Sequence, residues 1–362
     1  MISPWRIRSA AALCLVMLAI TAAGADAAEI EVPLDLDYLL LDAALQQQLY
    51  TGQNGRAEFW KSPDNCGYFY AQNPRFSRNG EAVELTTDSQ LNAAIGIGGE
   101  CLSAVEWSGI IDAATAPYID GFALKLRVTD INVYNPAQAA GPIGGRAMEI
   151  VKASLIPRLQ TFSYDLAPYV RQLNALMDAV LANDSEAKSV LSSLRLAPEI
   201  VPRDDEARLT LRMTLPEALV KPPPVRPPTL AETLAWRNAA RKVAALLDMT
   251  ATQISPMIPD MQTRDQLTSV VADARRRVQH TQDQPLDSAD PLPLFKPDWE
   301  QLRAITKAAA RRTGPNTKTI MLLSFATATD AVFALDERAP TLGARISRAG
   351  LDQLARRLEQ PD

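Results

Sequence analysis

The chain has 362 residues and a formal net charge of −5, from 37 Lys and Arg against 42 Asp and Glu, with three Cys and one His. Residues 28–228 carry 17 basic and 25 acidic side chains and residues 229–362 carry 18 and 16, a balance that argues against nucleic acid as a partner, since phosphate neutralisation needs a basic surface. The length predicts two domains, each large enough for its own core.

Arg6 and Arg8 precede an apolar run over 10–23 and then Ala25-Asp26-Ala27, whose small residues at −3 and −1 fit a signal-peptidase site. Residues 1–27 are therefore expected to be a leader cleaved after Ala27, and the mature chain to be periplasmic or secreted; a retained N-terminal anchor is the alternative. Cys14 lies inside the apolar run and does not mark a lipoprotein site. Cys66 and Cys101 remain, and an even pair in an exported chain predicts a disulfide, with two buried thiols as the alternative.

Ile30, Val32, Leu34 and Leu36 alternate with polar residues as a first strand, and Asp37 can cap a helix over 38–50. That helix turns Leu39, Leu40, Ala43, Leu45 and Leu49 one way and sets Asp42, Gln46, Gln47 and Gln48 toward water or a polar contact. Short strands follow near 57–60 and 66–72, and Asn79-Gly80 signals a hairpin. Three long strands come next. Val83, Leu85, Thr87, Leu91, Ala93, Ile95 and Ile97 hold one face of the first. Cys101, Ser103, Val105, Trp107, Gly109 and Ile111 hold one face of the second, and Phe122, Leu124, Leu126 and Val128 one face of the third. Past Asp130 the alternation moves to Ile131 and Val133, which predicts a bulge. Strands this long must bend or wrap.

A helix near 147–155 is expected to break at Pro157, a strand to run over 162–166, a helix over 169–181, and a last hairpin to turn at Asp204-Asp205 and return through Leu209, Leu211, Met213 and Leu215. Six prolines between 216 and 228 predict a linker. Beyond it the pattern is helical, with helices from Thr229 and over 260–282, 298–312, 317–335 and 347–358. The fourth is apolar nearly all round. Thr327, Thr329 and Asp330 interrupt it, so it reads as the centre of a bundle and not as a membrane span. The predicted class is α+β: a long curved antiparallel sheet wrapped around amphipathic helices (28–215), then a separate all-α bundle (229–362).

No catalytic residue, metal site or cofactor is predicted. His280 is the sole imidazole, with no second ligand at zinc-site spacing. Gly96-Ile97-Gly98-Gly99 joins two antiparallel strands and opens no helix, so it is a turn. Asp35, Asp37, Asp204 and Asp205 sit where helix starts and hairpin tips call for Asp, with a carboxylate pair in a cleft as the alternative. Arg275-Arg276-Arg277 and Arg311-Arg312 read as solvated helix faces, with peripheral contact to an anionic membrane as the alternative.

A strand leading into an amphipathic helix, long alternating strands over Val83 to Ile97, Cys101 to Ile111 and Phe122 to Val128, a second helix and a terminal hairpin together resemble the tubular lipid-binding superfamily, typified by bactericidal/permeability-increasing-like proteins. The resemblance covers residues 30–215 and rests on architecture. It implies a curved sheet around a long helix with an apolar tunnel for acyl chains. Leu85, Leu91, Ile95, Val105, Trp107, Ile111, Leu124 and Leu126 are then the expected lining of a site for a lipid or other apolar molecule, in a carrier that is not an enzyme. The same residues could equally be plain core. A second reading is an envelope scaffold whose helical domain docks a protein partner.

Overall fold

The structure is a computed structural model, and it describes residues 27–135, 145–171, 190, 193–221, 229–283 and 292–342. Strand β1 (Ala27–Asp37) runs into helix α1 (Tyr38–Leu49), where the Asp37 carboxylate accepts from Leu39 N–H at 3.0 Å as the predicted cap. Next come β2 (Arg56–Lys61), β3 (Tyr68–Asn79), β4 (Ala82–Ile97), β5 (Glu100–Asp120) and β6 (Ala123–Tyr134); helix α2 (Gly145–Gln160) follows, then β7 (Ser163–Asp165). These six strands form one antiparallel sheet in the order β2-β3-β4-β5-β6-β7. β4 has about the length its alternation predicts, at 16 residues, but β5, expected to end near Ile111, runs on to Asp120 and is 21 residues long. The predicted bulge is present: Asp130 faces Ala114 and Val128 faces Thr115, which leaves Thr129 without an opposite residue.

The sheet curls into a half-barrel. Helix α2 packs against β6 and against β2, strands on opposite sides of the sheet, which requires the sheet to bend around it. Its inner residues Ala147, Val151, Leu155 and Leu159 recur every fourth position and are all but fully buried. That burial carries the helix through Pro157 to Gln160, whereas the sequence predicts a break; the proline ring sits on the exposed face. Helix α1 packs on β3, and its Asp42 carboxylate, buried, accepts the backbone N–H of Phe76 at 2.7 Å beside an irregularity in the β3–β4 register. Burial, reinforced by nearby Asp37, pushes the Asp42 pKa up to about 7 against the pull of that N–H and of Arg75.

A second sheet brings distant parts of the chain together. Strands β8 (Arg195–Leu196) and β9 (Val201–Pro202) pair with β10 (Glu206–Pro216), which itself pairs with β1 from Ala27 opposite Pro216 to Asp37 opposite Glu206. Both strands are expected from their alternation; their partnership is not. The linker begins later than Pro216, because Pro216 ends β10 and α3 (Glu217–Val220) buries Leu219 against the same sheet.

Helices α4 (Leu230–Ile254), α5 (Met261–Asp283), α6 (Leu292–Thr313) and α7 (Thr317–Arg338) make up the C-terminal helical region. The expected helix over 347–358, most of that over 169–181 and the prolines of 222–228 lie outside the described residues. Helix α7 has the length and composition of a membrane span, yet here it lies between β1 and α6. It contributes to three hydrophobic clusters: Leu323 to the sheet core, Leu322 and Ala326 to the helical core, and Leu335 to a third with Ile30, Val32 and Leu211. Thr327 Oγ1 donates to the carbonyl of Asp35 at 2.9 Å, and Arg303 and Trp299 of α6 both bond the Asp330 carboxylate.

Truncation after Lys221 removes Leu323 and Leu335 from the sheet side, so the fragment should bind a hydrophobic dye and lack a sharp denaturant transition; cooperative unfolding of the fragment would show instead that residues 28–215 are a domain in their own right. For Asp42, the folded pKa lies above its ordinary 3.8, so the folded state holds the extra proton and stability falls as pH rises from about 4 to 7. The loss should total roughly 4 kcal/mol, and Asp42→Asn, which keeps the acceptor without the charge, should flatten the profile in denaturant titrations across that range.

Candidate functional site

Five of the eight expected lining residues, Leu85, Leu91, Ile111, Leu124 and Leu126, are exposed by 1% or less and sit in one core cluster with α1 and α2 side chains. Val105 and Trp107 are half-buried at the edge of that cluster, and Ile95 is 59% exposed. The concave face of the sheet therefore has two zones, one packed under helices and one beyond them.

The pairing register shows how the second zone is built. Cross-strand partners share a face. Leu91 faces Trp107, Ala93 faces Val105, Ile95 faces Leu102, and Ile97 faces Glu100, with Ala104 as an extra bulged residue. Alternation along β4 keeps Leu91, Ala93, Ile95 and Ile97 on the same side, so a single apolar stripe leaves the core and runs to the tip of the β4–β5 hairpin. Exposure rises along it: Ile97 is 56% and Leu102 53% exposed. Ile97 lies on the face that alternation predicts, but Leu102 does not: the odd-position rule puts Cys101 and Ser103 on the face of Val105 and Trp107, and the bulge at Ala104 exchanges them for Leu102. Gly109 leaves room for Trp107, since a Cβ there would come within 2.5 Å of the indole and 2.4 Å of the Tyr134 carbonyl.

The hairpin projects because its neighbours end first. β3 stops pairing at Tyr68 opposite Asn92, and β6 at Tyr134 opposite Ile110. On the convex side a tight segment, Ser62 to Gly67, braces it. The predicted disulfide joins Cys66 to Cys101, with Cα atoms 5.3 Å apart. Asp64 accepts from Ser62 Oγ, from Cys66 N–H at 3.1 Å and from Gly96 N–H at 2.6 Å. These three donors, led by Ser62, hold its pKa below the ordinary carboxylate value. Asn92 Nδ2 donates to the Cys66 carbonyl, and Ser103 Oγ donates to Asn92 Oδ1 at 2.9 Å. The brace uses the face opposite Ile95 and Leu102, which leaves the stripe uncovered by it.

The charged residues singled out in the sequence are engaged elsewhere. Asp35 takes both Nε and Nη2 of Arg208 at 2.6 Å, and although burial opposes it, this bidentate contact holds the carboxyl below its ordinary pKa. Burial raises the pKa of Asp37 despite the Leu39 N–H and Arg311. Asp205 pairs with Arg311 and Asp204 with Arg78. Every one of these carboxylates thus faces a cation and not a second free carboxylate. Arg275, Arg276, Arg277 and Arg312 pair with Asp248, Asp273, Asp298 and Asp260. His280 is exposed in the last turn of α5.

Replacing Cys101 by Ser should cost roughly 4 kcal/mol by the chain-entropy account for a 35-residue separation, and amide exchange should accelerate at the hairpin tip before it does in α1 or α2. Equal acceleration throughout would mean that the bridge supports the whole fold and not the hairpin.

No family model, no curated protein and no solved structure matches the chain.

Proposed function

We propose that the chain is an exported, non-enzymatic binding protein for a lipid or other apolar molecule, seated on the stripe formed by Trp107, Val105, Ile95, Leu102 and Ile97. One observation carries this reading: an apolar face that is core under the helices continues, across the bulge at Ala104, to exposed side chains on a hairpin that the Ser62 to Gly67 segment braces from behind. Large apolar side chains gathered on one exposed face mark contact surfaces, and each methylene they remove from water contributes about 0.8 kcal/mol. The site is open and lies at the end of the sheet, not in the middle of a tunnel as the resemblance to tubular lipid-binding proteins would place it. The burial of Leu85, Leu91, Ile111, Leu124 and Leu126 favours a second reading, an envelope scaffold with a filled core, in which the same stripe meets a protein.

Organic extraction of protein purified from its own host, followed by mass spectrometry, tests the proposal. Lipid or another apolar compound should be recovered from the wild type and lost from Ile95→Asp and Leu102→Asp, both of which should remain folded because the replaced side chains already face water. Leu126→Asp should instead unfold the sheet, since it buries an unpaired charge. Recovery of no compound from the wild type would leave the scaffold reading in its place.

A further inference from the structure

Beyond the apolar stripe, the same hairpin presents a length of strand whose outer edge pairs with no described strand. β5 begins at Glu100, but β6 reaches only as far as Ile110, so among the described residues the outer edge of β5 from Glu100 to Gly109 pairs with no strand. Ten residues of extended chain, interrupted by the bulge at Ala104, offer an edge of roughly 30 Å on which N–H and C=O groups point outward on alternate residues either side of the bulge. Native edges of this kind are blunted by Lys, by Pro or by a covering element. The stretch Glu100 to Gly109 contains neither Lys nor Pro.

Charge is the second observation. The edge from Glu100 to Gly109 holds two carboxylates, Glu100 and Glu106, and the whole hairpin from Ala82 to Asp120 holds no Lys, Arg or His. Glu106 faces Asn92 on the convex side, while Val105 and Trp107 point to the concave side. A strand laid against this edge would therefore meet Leu102, Val105 and Trp107 on one face, with Glu100 at the hairpin tip, and Glu106 on the other. A second copy of the chain would bring another edge with Glu100 and Glu106 and no cation, so it does not complement this one. A lipid has no backbone groups with which to continue the ladder.

We propose that the open edge of β5, from Glu100 to Gly109, takes an extended peptide segment, alternately apolar and basic, as an added strand. Main-chain hydrogen bonds would hold it, the apolar positions would rest beside Leu102, Val105 and Trp107, and the basic positions beside Glu106. The inference holds whether or not the stripe carries a lipid.

The test uses the intact chain and a decapeptide of alternating valine and lysine as probe. Hydrogen exchange followed by mass spectrometry should show saturable new protection confined to 101–109. Affinity should fall at least ten-fold for a valine–glutamate decapeptide, and also for the Glu100→Lys/Glu106→Lys variant, whose replaced side chains are exposed. Absence of binding, binding without protection there, or affinity unchanged by reversing the charges would overturn the proposal. So would outward amides of 101–109 that are already protected in the free protein, or a dimer formed through this edge. Ile95→Asp separates the two readings, since it should remove an apolar ligand and leave protection of 101–109 by the peptide in place.

Discussion

The burial of α7 against β1 is the contact on which the rest of the fold depends. A helix with apolar residues on nearly every side has to be covered on nearly every side, and neither the curled sheet nor the other helices can do that alone. By giving Leu323 to one cluster, Leu322 and Ala326 to another and Leu335 to a third, α7 makes the sheet and the helical region share a core. The hydroxyl of Thr327 fixes its height on the strand through the Asp35 carbonyl, and Asp330 fixes its rotation through Trp299 and Arg303. The polar residues that stop α7 from reading as a membrane span are thus the ones that orient it in the protein.

Charge reinforces the same seam. The acidic excess lies before residue 228 and the slight basic excess after it, and α6 turns that imbalance into contacts. Lys307 and Arg311, four residues apart on one face of α6, reach Glu206, Asp37 and Asp205 at the junction of β1, α1 and β10. Lys307 and Glu206 are largely withdrawn from water, so their pairing offsets a desolvation cost and adds little net stability by itself. Its effect is on register: a helix displaced by one turn would leave buried charges without partners. Carboxylates that in isolation resemble material for acid–base chemistry are accounted for by this docking.

The hairpin of β4 and β5 is the part of the molecule that its own packing does not explain. Elsewhere apolar alternation ends in burial, under α1, under α2 or along α7. Here it continues past the last residues of β3 and β6, and the protein devotes a disulfide and the triply bonded Asp64 to holding the projection rigid. A braced projection with an apolar face, no basic residue and an edge that pairs with no described strand is suited to contact with something outside the chain.

Much of this was legible in local pattern. Period-2 alternation located β1, β4, β5, β6 and β10, Asp37 announced the α1 cap, the shift past Asp130 announced the bulge, and the cysteine count announced the bridge, because each depends on neighbouring residues or on simple pairing arithmetic. The end of α2 was misread for the converse reason: Pro157 disfavours a helix locally, but Val151, Leu155 and Leu159 bury a continuous face around it. The start of the linker was misread because Pro216 and Leu219 are held by β1 and its neighbours, far away in sequence. The site follows the same division. Alternation put Leu85, Ile95, Trp107 and Leu126 on one face, and that is all alternation can do, since it depends on backbone geometry alone. Whether a residue on that face is core or surface depends on how far α1, α2 and the flanking strands extend over it, and only the tertiary structure decided that Leu126 lies beneath them and Ile95 beyond.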